Sequence, residues 1–74
     1  MNDENILWAN IESSHLERVG YNIEQQTLYI DFLNGDTYKY NSVPAYKVLA
    51  LLKAPSAGIY FWEEIRDSYS YEKV

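Results

Sequence analysis

The chain is 74 residues long, 47% of them hydrophobic and none of them cysteine, which fits one domain whose small core is stapled by neither disulfides nor a thiolate-bound metal. Six basic against eleven acidic side chains leave a formal charge of −5, and this long-range repulsion disfavours an extended nucleic-acid footprint. No apolar run approaches the roughly 18 residues of a membrane span, and the acidic start Met1-Asn2-Asp3-Glu4-Asn5 is unlike a basic secretory leader, so a cytoplasmic protein outside the membrane is expected.

In chain order, residues 1–5 read as a frayed tail, and Ile6-Leu7-Trp8-Ala9-Asn10-Ile11 is an apolar stretch too brief to divide between strand and helical turn. The expected organisation is a tail and short apolar segment over 1–10, then a single domain over 11–74. Glu12-Ser13-Ser14-His15 is a polar turn. Leu16 to Ile23 alternates as a strand does, interrupted at Gly20, where a bulge is expected. A four-residue loop, Glu24-Gln25-Gln26-Thr27, then sets Ile23 opposite Leu28, Tyr21 opposite Ile30 and Val19 opposite Phe32.

The strongest local signal follows. Leu28 to Phe32 and Asp36 to Tyr40 alternate around Asn34-Gly35, the signature of a hairpin. A two-residue loop would split the apolar residues between both faces. A three-residue loop, Leu33-Asn34-Gly35, closes on Gly35 as a left-handed bulge and pairs Leu28 with Tyr40, Ile30 with Tyr38 and Phe32 with Asp36. One face then carries Leu28, Ile30, Phe32, Tyr38 and Tyr40, and the other carries Tyr29, Asp31, Leu33, Thr37 and Lys39.

A three-stranded apolar face needs a second layer, and the remaining chain supplies helices. Ser42-Val43-Pro44 opens one, with a capping hydroxyl and an early proline. From Ala45 to Ala54 only Lys47 and Lys53 are charged, which predicts a helix buried on most sides as the central cover of the sheet, ended by Pro55. Ser56 caps a second helix, with Ile59, Trp62, Ile65 and Tyr69 on one stripe and Glu63, Glu64 and Asp67 on another. Ser68-Tyr69-Ser70-Tyr71 alternates like a short strand and equally fits a fraying end. The fold class is therefore α+β, a three-stranded antiparallel meander followed by two α-helices packed on one face of the sheet.

Ser13-Ser14, Val19-Gly20-Tyr21, Leu28-x-Ile30-x-Phe32 with Gly35, Tyr38-x-Tyr40, Val43-Pro44, Ala54-x-Ser56-x-Gly58 and Ile65-Arg66 follow one another in an order that resembles the KTSC domain. That domain is named for its place at the C-terminus of some lysyl-tRNA synthetases and also stands alone in bacterial and phage proteins. The resemblance spans roughly residues 11–71 and implies RNA binding, through the association with a tRNA-handling enzyme.

The residues themselves argue for binding rather than catalysis. His15 beside Ser13 and Ser14, with Glu12 or Glu17, reads as a polar turn rather than a nucleophilic site. Glu63, Glu64 and Asp67 on one helix cannot surround an ion alone and read as a solvated face, and no phosphate-cradling glycine loop is present. An enzyme is not expected, nor a cofactor or metal.

Two binding surfaces are predicted. The first gathers Tyr38, Tyr40, Ser56, Gly58, Tyr60 and Arg66, where a helix start, an aromatic wall and a guanidinium would hold a nucleotide-like ligand, either a small phosphate-bearing molecule or a short single-stranded RNA. The competing reading of that group is structural, with Ser56 capping its helix, Gly58 easing helix packing, the tyrosines in the core and Arg66 paired to an acid. The second surface is the outer sheet face, where Arg18, Tyr29 and Lys39 would form a stacking platform or a protein-interaction and homo-oligomerisation face.

Overall fold

The hairpin around Asn34-Gly35 adopts the register its apolar pattern demands. In this computed structural model, which describes residues 6–74, β3 (Thr27–Phe32) and β4 (Thr37–Tyr40) pair Leu28 with Tyr40 and Ile30 with Tyr38. The Phe32 amide donates to the Asp36 carbonyl at 2.8 Å, and Gly35 sits at φ 98°, the left-handed conformation that closes the three-residue loop.

The chain is α+β with an antiparallel sheet and two helices, but the sheet has five strands rather than three. β1 (Ile6–Asn10) and β2 (Leu16–Asn22) precede the hairpin, β5 (Tyr71–Lys73) follows the helices, and the spatial order is β1-β2-β3-β4-β5. The short apolar segment at 6–11 thus supplies a strand, while the tail expected at 1–5 lies outside the described residues. β5 begins where the Ser68–Tyr71 alternation ends, pairing Tyr71 with Tyr40 and Lys73 with Tyr38.

The β2–β3 register differs by two residues from the expected one. Tyr21 faces Leu28 and Val19 faces Ile30, because the turn is Ile23–Gln26 rather than Glu24–Thr27. The cause is Asn22, whose buried side-chain carbonyl accepts from the amides of Glu24 and Gln25, while Gln26 takes a left-handed φ of 57°. Ile23 is thereby turned out to solvent. The bulge in β2 falls at Glu17, between Leu16 and Arg18, and lets both Leu16 and Val19 face inward. Gly20 is regularly paired, opposite Trp8 on one side and Tyr29 on the other.

Helix α1 spans Ala45–Lys53 with Pro44 as N-cap and no capping side chain, so the expected hydroxyl cap is absent. The segment is positioned instead from across the fold: the Val43 amide donates to the Gln26 carbonyl at 2.8 Å, and the Tyr21 hydroxyl donates to the Val43 carbonyl. α1 buries only Val48 and Leu51, whereas Tyr46, Leu49 and Leu52 are exposed, so it is not covered on most sides. Helix α2 (Ala57–Tyr60) runs directly into a π-helical turn (Phe61–Ile65), closed by the Arg66 amide donating to the Phe61 carbonyl at 2.9 Å.

That turn decides which face is buried. In a regular α-helix positions four apart drift by about 40°, and the wider π turn cancels the drift, so Ala57, Phe61 and Ile65 stay on one line and are buried. Ile59 and Trp62, expected on the buried stripe with Ile65, point outward instead. The core joins Leu16, Val19, Leu28, Ile30 and Tyr40 of the sheet to Val48, Leu51, Phe61 and Ile65 of the helical layer. Each fully buried aliphatic side chain contributes about 1.5–3 kcal/mol.

Candidate functional site

β4 turns Tyr38 and Tyr40 toward the helical layer, and β5 adds Tyr71 beside them. The Tyr40 and Tyr71 rings lie 5.3 Å apart and tilted by 30°, and Tyr38 is 5.8 Å from Tyr71. Phe61 meets Tyr40 edge-on at 5.4 Å and Phe32 at 5.7 Å, so the π turn locks the aromatic set from above. Tyr40 is 3% exposed, and burial together with the neighbouring Tyr71 and Tyr38 hydroxyls pushes its pKa up to about 12. It is therefore a neutral wall residue at physiological pH.

Over this wall opens a groove of about 830 Å³, within the range of small-molecule sites. Five of the six residues predicted for the first surface line it: Tyr38, Tyr40, Ser56, Gly58 and Arg66. Ser56 accepts the Ile59 amide at 3.3 Å and so caps α2 as expected. The Arg66 guanidinium carbon lies over the Trp62 ring, 3.9 Å from its centroid, and the group touches Asp67 at 3.3 Å, a pair so exposed that it ties up little of the guanidinium's capacity. Tyr60 does not join the groove. It lies on the far side of α2, with the Lys47 ammonium 6.0 Å from its ring, and Lys47 is itself bonded to Glu64 at 2.9 Å, which raises its pKa.

Gly58 eases a packing contact with a loop rather than with a helix. A Cβ there would stand 3.2 Å from Ser13 Oγ, which accepts the amides of His15 and Leu16. This close approach brings Ser14 and His15 to the groove's other bank, with Ser14 Oγ 3.0 Å from His15 Nδ1. Trp62, Tyr71 and His15 are groove residues that sequence reasoning did not assign. Trp62 was hidden by the stripe assumed for a regular helix, and Tyr71 by the brevity of β5. Asp36 and Glu63 also line the groove, so its rim carries both charge signs.

The second predicted surface is also assembled, but its cations are engaged. Arg18 is bonded to Asp31, which also accepts the Thr37 hydroxyl at 2.6 Å, and Lys39 stands 3.7 Å from Glu72. Trp8 packs its ring over Gly20, 6.0 Å from Tyr29 and with the Arg18 guanidinium 4.1 Å over its ring. Among the described residues no cluster of three metal-ligating side chains occurs, and no helix is long and apolar enough to cross a membrane.

Comparison with known proteins places these features in a family context. A model of the KTSC domain matches residues 12–69. An uncharacterised protein of Stutzerimonas stutzeri is 45% identical over 65 residues, covering 86% of this chain and 92% of the relative. A lysine–tRNA ligase of Trichormus variabilis is 35% identical over 63 residues, covering 85% of this chain and 11% of the ligase. The crystal structure of a KTSC domain protein from Yersinia pestis is similar at a TM-score of 0.87 and 27% identity, covering 93% of this chain and 97% of that one.

Proposed function

The chain belongs to the KTSC domain family, and from that premise we propose that it is a non-enzymatic, cytoplasmic binding protein whose groove takes a nucleotide-like ligand, a small phosphate-bearing molecule or a short single strand of RNA. The observation that carries this reading is the convergence of Arg66, stacked on Trp62, with the Tyr38, Tyr40 and Tyr71 wall in one groove. A base stacked on an aromatic side chain gains about 1–3 kcal/mol, and a guanidinium held over a neighbouring ring offers a positioned fork to a phosphate. Asp36 and Glu63 on the rim favour ligands with one or two phosphates over a long polyanion. Support for an RNA setting comes from the lysine–tRNA ligase relatives, in which a similar stretch forms 11% of the protein.

Titration calorimetry with nucleoside monophosphates and a short single-stranded RNA tests the reading. Binding is expected to vanish in Arg66→Ala while the circular dichroism spectrum is unchanged, and no heat with either ligand at low salt refutes it. An RNA ligand must bind more weakly as salt rises, with a logarithmic slope of about −0.7 per phosphate contacted. The Trp8–Tyr29 pair on the outer face favours a second reading, a protein-interaction or oligomerisation surface there. Tyr29→Ala splitting an oligomer supports that alternative.

A further inference from the structure

The two edges of the sheet are finished differently. β5 is three residues long, its Glu72 and Lys73 paired to Lys39 and Asp36 across the sheet, a short and charged edge that resists further pairing. β1 is Ile6-Leu7-Trp8-Ala9-Asn10, five residues with no charge and no proline. Among the described residues no strand lies on its outer side.

The hydrogen-bond parity of β1 shows which backbone groups remain open. Ile11 donates to the Glu17 carbonyl at 3.1 Å, continuing the register that pairs Ala9 with Val19 and Leu7 with Tyr21. In an antiparallel ladder such residues alternate, so Leu7 and Ala9 turn their amides and carbonyls toward β2. Those of Ile6, Trp8 and Asn10 therefore point away from the sheet. Leu7 adds a second sign of an unfinished edge. It occupies the row of Tyr21, Leu28 and Tyr40 on the helix side, yet remains 76% exposed.

We propose that β1 pairs antiparallel with β1 of a second copy of this chain, joining two five-stranded sheets into one across a two-fold axis at Trp8. The spacing is self-complementary. With Trp8 of one copy opposite Trp8 of the other, Ile6 falls opposite Asn10, and every outward amide of the three meets an outward carbonyl. No charge lies on either β1 strand to repel its mate, and Arg18, whose guanidinium lies over Trp8, is already paired with Asp31. Leu7 of each copy comes beside Ala9 of the other, extending apolar cover over the exposed end of that row. Five strand residues span only about 17 Å, too short a contact to bury the roughly 800 Å² per partner of a standard interface, so the association is reversible and concentration-dependent.

Sedimentation equilibrium and amide exchange by NMR test the proposal on the whole chain. The apparent mass is expected to rise from 8.7 kDa toward twice that value with concentration, while exchange slows at Ile6, Trp8 and Asn10 and is unchanged at Leu7 and Ala9. Asn10→Pro removes an outward amide that β2 does not use, and is expected to hold the protein at 8.7 kDa at every concentration. Leu7→Lys, which places a charge on an exposed edge position, is expected to do the same, whereas Tyr29→Ala dimerises as the parent does. A parent chain that stays monomeric at millimolar concentration overturns the proposal. So does a dimer that survives Asn10→Pro and Leu7→Lys but is lost in Tyr29→Ala.

Discussion

Replacing Gly20 with alanine isolates the packing of the outer sheet face in a single methyl group. The backbone there does not require glycine, since Gly35 is the one glycine with positive φ. In an open strand position the change would be favourable by about 0.5–1 kcal/mol through reduced unfolded-state entropy. Here the new Cβ would stand 2.7–2.8 Å from three atoms of the Trp8 ring, far inside the 3.5–4.0 Å of carbon contacts. The ring cannot slide sideways without leaving Tyr29 or Arg18, so it must lift into solvent. Losing the aromatic pair costs about 0.5–1.5 kcal/mol, and losing the cation–π contact about 0.5–1 kcal/mol.

The net expectation for Gly20→Ala is a destabilisation of up to about 2 kcal/mol, read as a lower urea midpoint with an unchanged m-value. In a Trp8→Ala background the clash disappears, and the same change is expected to stabilise by about 0.5–1 kcal/mol. The two mutations must therefore couple by more than about 1 kcal/mol in a double-mutant cycle. Additive effects, or stabilisation by Gly20→Ala alone, refute the view that Gly20 exists to seat the indole.

Tyr40 makes stability depend on alkaline pH. Its folded pKa of about 12 lies above the unfolded value of 10, so its contribution is complete below pH 10 and is lost as pH rises toward 12, a fall of about 3 kcal/mol. Urea titrations between pH 8 and 12 measure this, and a Tyr40→Phe variant that falls as steeply rules out Tyr40 as the source. Gly35→Ala introduces no clash, since nothing lies within 4 Å, but forces a side chain into φ 98°. A loss of about 1–2 kcal/mol is expected by thermal unfolding, and a neutral result means that the β3–β4 turn relaxes to another type.

How much of this molecule can be read from its sequence depends on whether the apolar pattern alone selects one arrangement. The β3–β4 hairpin is legible because a three-residue turn and period-two alternation select the same register. The β2–β3 register is not, because a single side-chain carbonyl on Asn22 moves the turn by one residue. β1 is too brief to be read alone and becomes a strand by pairing with β2, β5 does so by pairing with β4 on the far side of both helices in the chain, and α1 keeps Tyr46, Leu49 and Leu52 exposed despite an apolar composition that suggests full burial. In the groove, Ser56 and Arg66 follow from capping and charge, while Trp62 and Tyr71 depend on the π turn and on a three-residue strand. Tyr60 illustrates the converse, an aromatic near the site in sequence that the helix turns away from it.

The π turn carries one residue more than a regular helix of the same rise would hold, and this surplus indexes the two halves of the site against each other. Phe61 and Ile65 are pinned to the core, so the chain between them and Arg66 has no freedom to rewind unless a residue is removed. Shortening this turn by one residue and lengthening it by one are thus unequal changes. The first restores ideal helical pitch and swings Trp62 and Arg66 off the groove together, while the second adds to an existing distortion. In this chain, the residue count between Ser56 and Arg66 bears on the groove as directly as the residues that fill it.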